Sequence, residues 1–295
     1  MSDIKIKSSL LARVKELQAN SPKRSKQKSN DRLLMPLHLP KIGDSYRAMP
    51  NHIARSSLFA PIGAKPKQVY RNAILVSRKD AVIKFWGEQL DESQADVWMQ
   101  IMFEASKLPL GEPVIIKRAR FLQAIGRNTS GANYEWLDRS MKSLAFAMLV
   151  IEVNTKSGTN KLTIGTTAAL HMIDNFDYDS TLQVYTLRID PRWHQMYRNR
   201  EFSLIEWDKR LRISNKQDMA KALQRLISTS NDEIQYYSLD WLKEKFVYTG
   251  RLRDFKQAVE KAMNDLTRLN LITEGRIEIS AKGNTQAVWR RLKSS

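Results

Sequence analysis

Two stretches of this 295-residue chain carry the same succession of patterns, and that succession limits the fold more than any other feature. In the first, Val114-Ile-Ile-Lys-Arg-Ala-Arg-Phe-Leu-Gln-Ala-Ile-Gly126 reads as a short strand and a short helix that stops at the glycine. The polar turn Arg127-Asn-Thr-Ser130 leads into a long helix expected from about Ala132 to Leu149. There Leu137, Met141, Leu144 and Met148 recur at helical spacing and share one buried stripe. Leu149-Val-Ile-Glu-Val153 is strand-like, Lys156 to Lys161 is a turn, and Leu162-Thr-Ile-Gly alternates as a returning strand. The second stretch repeats the order. Tyr237 to Phe246 reads as the short helix with Ser238 as N-cap, and Thr249-Gly-Arg-Leu-Arg as the entry. Phe255, Val259, Met263, Leu266 and Leu269 mark a helix ending near Asn270. A hairpin from Leu271 to Leu292 turns at Lys282, Gly283 and Asn284.

Short helix, turn, long helix and basic hairpin follow one another as in a winged helix, whose second helix enters the DNA major groove. The expected fold class is α+β: two tandem winged-helix domains, related by duplication, behind a flexible basic N-terminal tail. The boundaries are 1–45 for the tail, 46–189 for the first domain and 190–295 for the second. Asp190 is the expected cap and Pro191 the first residue of a helix whose Trp193, Met196 and Tyr197 face the core. Met219, Leu223, Leu226 and Ile227 stripe the next helix.

A formal charge of +18 and a pI near 10.0, spread along the whole length, make nucleic acid the first partner to propose and an anionic membrane the second. The membrane reading lacks a basic amphipathic helix with a large apolar face or a lipidation motif at either end. The longest apolar run, Leu144 to Ile151, falls short of the roughly 20 residues a span requires. No secretory h-region opens the sequence, and the absence of cysteine excludes disulfides and agrees with a cytoplasmic location. His38, His52, His171 and His194 are scattered without ligand spacing, so neither metal nor cofactor is expected. No phosphate-binding glycine loop, nucleophile elbow or paired-histidine motif occurs, which favours a binding protein over an enzyme.

The candidate DNA contacts on the first long helix and its approach are Arg127, Asn128, Asn133, Arg139 and Lys142. On the second they are Arg251, Arg253, Lys256, Gln257 and Lys261. Lys156, Lys161, Arg276 and Lys282 on the hairpins suit the sugar-phosphate backbone, giving affinity without sequence choice. Neutralising some six to ten phosphates costs about a thousand- to hundred-thousand-fold in affinity between roughly 50 and 200 mM salt, and these residues suffice for that number. Two unlike heads about one helical turn apart would read an asymmetric site of roughly 15 to 20 base pairs, suited to direct repeats.

Ahead of the heads, Ile4 to Ala19 has helical periodicity, and Asn20 to Asn30 is a basic linker, either a solvated tail or an arm tracking phosphates. Asp31-Arg-Leu-Leu-Met-Pro-Leu37 is an apolar patch that either packs back on the body or docks on a partner. In Tyr46 to Phe59, Pro50 forbids earlier helix and Asn51 is a candidate cap. Here Arg47-Ala-Met-Pro-Asn51, Ala54-Arg-Ser56 and Leu58-Phe59 closely resemble the segment before the first winged helix of the TrfA family of plasmid replication initiators.

The resemblance runs more thinly to about residue 275. It continues through the hairpin Ala73–Val76 and Ala81–Gly87 and the helix carrying Asp96-Val-Trp98, with core face Val97, Ile101 and Leu108. Ile189-Asp190, Trp207 and Arg210-Leu211 are weaker anchors. It implies binding to iterons, the direct repeats of double-stranded origin DNA, with opening of adjacent AT-rich DNA. It also implies recruitment of host replication proteins, namely the initiator, the replicative helicase and the sliding clamp. A homodimer less active than the monomer is implied too, with its contact in the first domain, in a place the hairpin at residues 73–87 would fit. Where the family carries a clamp-binding peptide of the Gln-Leu-x-Leu-Phe type, this chain has Arg32-Leu-Leu-Met-Pro-Leu37. Leu33, Met35 and Leu37 are then the candidate clamp anchors, with arginine in place of the glutamine. A winged-helix repressor binding a palindrome as a dimer is the alternative reading.

Overall fold

Residues 36–292 are described by the computed structural model, except 64, 65, 156, 167 and 215 and the side chain of Asn199. The helix and linker expected before residue 31 lie outside the described residues. The first elements are β1 (Tyr46–Pro50), a single turn α1 (Asn51–Ala54), β2 (Phe59–Ala60) and the hairpin of β3 (Val69–Ile74) and β4 (Ala81–Glu88). Pro50 keeps the backbone extended and itself occupies the cap of α1. Asn51, expected as that cap, is the first helical residue, and its side-chain oxygen accepts from the Ser203 hydroxyl instead.

After β5 (Leu90–Asp91) comes α2 (Glu92–Ala105), with a reciprocal cap. Asp91 accepts from the Gln94 N–H at 2.9 Å, and the Gln94 side chain accepts from the Asp91 N–H at 3.0 Å. Almost every side chain of α2 is buried, Glu92, Asp96 and Gln100 among them, so this is a central helix. Leu108 lies beyond its end and is 37% exposed, off the core face expected for it.

Next come β6 (Val114–Lys117), α3 (Arg118–Ala124) and α4 (Gly131–Phe146). Ser130 caps α4 by accepting from the Asn133 N–H at 3.4 Å. The helix stops short of the expected Leu149, because the chain turns extended at Ala147 and enters β7 (Met148–Asn154), where β-branched Val150, Ile151 and Val153 favour a strand. Its buried stripe is therefore Leu137, Met141 and Leu144. The hairpin partner is β8 (Asn160–Ile164), followed by β9 (Leu170–His171), β10 (Asn175–Asp179) and β11 (Val184–Arg188). One sheet has the order β3-β4-β7-β8, with β9 also on β7; another has the order β10-β11-β6.

Asp190 caps a 3-10 helix (Pro191–Arg200) by accepting from the Arg192 N–H at 2.8 Å, with Pro191 in its first turn. β12 (Phe202–Glu206) then returns to pair antiparallel with β1. The rest is α5 (Trp207–Arg212), α6 (Asp218–Ile227), β13 (Ile234–Ser238), α7 (Leu239–Lys245), α8 (Leu252–Arg268), β14 (Ile272–Ile279) and β15 (Thr285–Arg291). Ser238 caps α7. The last three strands form an antiparallel sheet in the order β13-β15-β14.

Among the described residues the apolar core gathers into two clusters, one drawn from Leu39 to Trp207 and the other from Ile213 to Trp289. Trp193, Met196, Tyr197, Ile205 and Trp207 belong to the first. Each cluster holds the order helix, strand, helix, helix, hairpin, as α2-β6-α3-α4-β7-β8 and as α6-β13-α7-α8-β14-β15. The strand pairing differs: β13 joins its own hairpin through β15, whereas β6 leaves its hairpin and joins β11.

Candidate nucleic-acid interface

The hydrophobic stripe of α8, Phe255, Val259, Ala262, Met263 and Leu266, faces the second cluster and turns the opposite face to solvent. Arg251 at the N-cap and Arg253 are 82% and 75% exposed, and share Asp254 at 3.7 and 3.5 Å. Lys256, Gln257 and Lys261 are exposed one and two turns further along. Among the described residues no carboxylate lies within ion-pair distance of Lys256 or Lys261. The positive end of the helix macrodipole adds to this field at the N-terminus. On the following hairpin Lys282 is exposed at the turn, and Arg276 is paired with Glu278 at 2.7 Å.

The corresponding face of α4 is closer to neutral. Arg139 has Glu135 at 3.9 Å, and Lys142 has Asp138 at 2.7 Å. A groove of about 920 Å³ runs beside this helix and brings Arg139 and Lys142 together with Lys67, Lys216, Trp136 and the exposed Phe146, but also with Asp91 and Asp218. Lys67 and Lys216 are cations that sequence reading does not single out; their distance along the chain from α4 hides them.

Arg127 is turned inward. Its guanidinium lies 3.5 Å from the Trp136 ring centroid and donates to Ser93 Oγ at 3.2 Å and Asn133 Oδ1 at 3.3 Å. Burial lowers its pKa. Asn133 donates to the Asn128 carbonyl at 3.0 Å, so Arg127, Asn128 and Asn133 form one cluster at the start of α4. Lys161 on β8 is paired with Glu201, which also meets His52 at 3.0 Å. Lys156, Leu33 and Met35 lie outside the described residues. Leu37 is 47% exposed, and its carbonyl accepts from the Leu110 N–H at 2.7 Å.

A charged cluster that the sequence reading misses joins the two apolar clusters. Glu92 meets Arg210 at 3.0 Å and is also paired with Arg225, while Asp96 meets Arg210 and Lys221, each at 2.6 Å. None of these side chains is more than 6% exposed. Burial opposes ionisation, yet Arg225 and Arg210 hold Glu92 below its ordinary value, and Arg210 and Lys221 do the same for Asp96. The available signal is two acids four residues apart at the start of a helix whose later turns carry Val97, Trp98, Met99, Ile101, Met102 and Phe103.

The sequence profile of the TrfA protein family matches residues 6–268. The chain belongs to the TrfA family. A curated relative, the plasmid replication initiator protein TrfA of Escherichia coli, is 29% identical over 130 residues, which are 43% of this chain and 34% of that protein. The match thus spans about a third of the relative's length. Among solved structures, domains 2 and 3 of RctB superpose with a TM-score of 0.56 over 83% of this chain and 99% of that one, at 12% identity, which is a likeness of fold. A second structure of the same domains gives 0.49 over 79% and 95%, also at 12% identity.

The segment that carries the TrfA resemblance is largely buried. Arg47 is buried with its guanidinium 3.8 Å from the Phe103 ring centroid and 4.7 Å from that of Trp207, and its Nε donates to Gln100 at 2.8 Å. Burial pushes its pKa down to about 10. The Ala54 and Phe59 carbonyls accept from Arg225 at 3.0 and 2.9 Å, and the Ser56 carbonyl accepts from the buried Lys245 Nζ at 3.0 Å. In this TrfA-type chain residues 54–59 therefore add main-chain acceptors to the junction, beside Glu92 and Asp96 of α2. Among the described residues no group of His, Asp or Glu is arranged to hold a metal ion, and no helix is long and apolar enough to cross a membrane.

Proposed function

We propose that this chain is a plasmid replication initiator that binds double-stranded origin DNA at directly repeated iterons through two winged-helix heads, one around each apolar cluster, and acts without enzymatic chemistry of its own. The observation that carries the reading is the solvent-facing basic side of α8, bearing Arg251, Arg253, Lys256 and Lys261, in a chain of the TrfA family. A helix so exposed, preceded by a strand and short helix and followed by a hairpin, has the build of a recognition helix. The name of the Escherichia coli relative supports initiation as the outcome of binding.

In this reading α8 supplies most of the affinity, because its cations outnumber the acids beside them, while α4 contributes a weaker contact through Arg139 and Lys142. Opening of AT-rich DNA, a monomer–homodimer equilibrium, and recruitment of the host initiator, helicase and sliding clamp are the further steps of the same proposal. Leu33, Met35 and Leu37 are its clamp anchors: replacing Leu33 and Leu37 by Ala should abolish clamp pull-down and spare origin binding.

DNase footprinting across the plasmid's replication region tests the whole. Regularly spaced protections over direct repeats, shortened in an Arg251→Gly/Arg253→Gly variant, are expected. A single protected palindrome at a promoter would replace initiation by repression, and no protection at low salt would sink both.

A further inference from the structure

We propose that Glu92 and Asp96 are positioning residues that fix the two candidate recognition helices relative to one another, and so set the spacing and helical phase of the two DNA segments the chain can contact. The inference rests on the DNA-binding reading above and adds a device to it. α4 packs on α2, α2 meets α6, and α6 packs along α8, so a direct path from one helix to the other passes through the α2–α6 contact. That contact is where the charges are buried. Glu92 and Asp96 on α2 hold Arg210 from α5 and Lys221 and Arg225 from α6.

Two apolar surfaces in contact can slide by a fraction of a side chain at little cost, because dispersion and burial are non-directional. A buried guanidinium between two carboxylates has no such freedom, since any displacement leaves a charge without its partner in a medium that cannot solvate it. The remaining donors are fixed as well. Arg210 also donates to the Lys221 carbonyl at 2.7 Å, and Arg225 reaches the Ala54 and Phe59 carbonyls. Two binding heads joined stiffly gain avidity only on sites whose spacing matches the joint, whereas a loose joint tolerates many spacings. The charges thus convert a two-headed binder into one that measures distance along DNA.

The chain has no cysteine, so Glu135→Cys on α4 and Asn264→Cys on α8, both at exposed positions, give a pair of unique spin-label sites. Pulsed dipolar spectroscopy on the otherwise unchanged full chain should give one narrow distance distribution, broadened by Glu92→Gln or Asp96→Asn. Glu92→Asp keeps the charge and shortens the reach by one methylene, so it serves if the neutral variants do not fold. A duplex carrying the footprinted site, with about three base pairs inserted at its centre, turns one half by roughly a quarter of a helical turn or more. The parent chain should then bind about a hundredfold more weakly, and the variants less than about tenfold more weakly.

A broad distribution in the parent would overturn the proposal without reference to DNA. So would folded variants that keep both the narrow distance and the full spacing penalty. Narrow distances that broaden in the variants, with no duplex bound by the parent, would overturn the spacing role together with the DNA-binding reading.

Discussion

Asp96 accepts a hydrogen bond from Arg210 Nε at 2.6 Å across the seam between the two hydrophobic clusters. Both side chains are buried, and Arg210 bridges on to Glu92 at 3.0 Å. Removing one member of such a group strands its partners in a place water does not reach. Arg210→Met should therefore lower the free energy of unfolding by about 3–5 kcal/mol, read from urea denaturation with an unchanged slope. A loss below about 1 kcal/mol would mean that water enters the seam.

The same carboxylates make stability depend on acid. The native pKa values of Glu92 and Asp96 are depressed below the unfolded values of 4.5 and 3.8. Their contribution is thus fully present above those values and is lost as the pH falls through the depressed native ones. Asp96→Asn should flatten the stability profile below about pH 5 relative to the parent chain, as measured by thermal melts across that range.

Asp218, the first residue of α6, has the opposite sign. Its Oδ1 lacks a hydrogen-bond partner among the described residues. Burial, with Glu92, Asp91 and Asp96 nearby, pushes its pKa up to about 6, and Lys221 only partly offsets this. A carboxyl raised above its unfolded value of 3.8 costs nothing below that value and removes stability as the pH rises toward 6. Asp218→Asn should stabilise the chain by about 2 kcal/mol near neutral pH and by almost nothing in acid at about pH 3.5. Equal gains at both pH values would assign the effect to something other than ionisation.

How much of this is legible in the sequence follows from what each residue does. The stripes of α4 and α8, the Ser238 cap, the Asp190-Pro191 start and the hairpin turn at Lys282 to Asn284 are local patterns of period and turn chemistry, and the chain adopts them. The end of α4 is not legible in that way. Met148 continues the helical spacing while the β-branched run after it favours a strand, and the sheet pairing with β4 decides between them. The pairing of β6 with β11 and the ring of charges around Glu92 and Asp96 are non-local: the partners stand more than 60 residues apart, and no spacing rule reaches them. Residues 47–59 are recognisable as a family segment, yet their work, holding Arg225 and Lys245 by main-chain carbonyls, has no side-chain signature.

The two long helices should respond differently to charge removal. Arg253→Ala with Lys256→Ala takes away two cations of which only Arg253 has a close acid, Asp254, so the slope of log affinity against log salt should fall by about 0.9 for each. Arg139→Ala with Lys142→Ala also frees Glu135 and Asp138, which then repel phosphate, but the two cations removed are already half-neutralised. Filter binding at several salt concentrations should show a clearly smaller drop in slope for the α4 pair. Equal drops would make the two heads equivalent.

Arg127 decides between a contact and a support. Its place before α4 suits a DNA contact, yet its guanidinium is stacked on Trp136 and bonded to Ser93 and Asn133, so its charge goes to seating the start of α4 against α2. Arg127→Ala should leave the salt slope unchanged and lower stability by about 1–2 kcal/mol, from the lost cation–π contact and hydrogen bonds. Arg127→Lys should recover less than half of that, since an ammonium cannot both lie flat on the indole and reach two acceptors. A salt slope lower by about 0.9 in Arg127→Ala, with stability intact, would instead place this arginine on a phosphate and require the side chain to swing off Trp136 when DNA arrives.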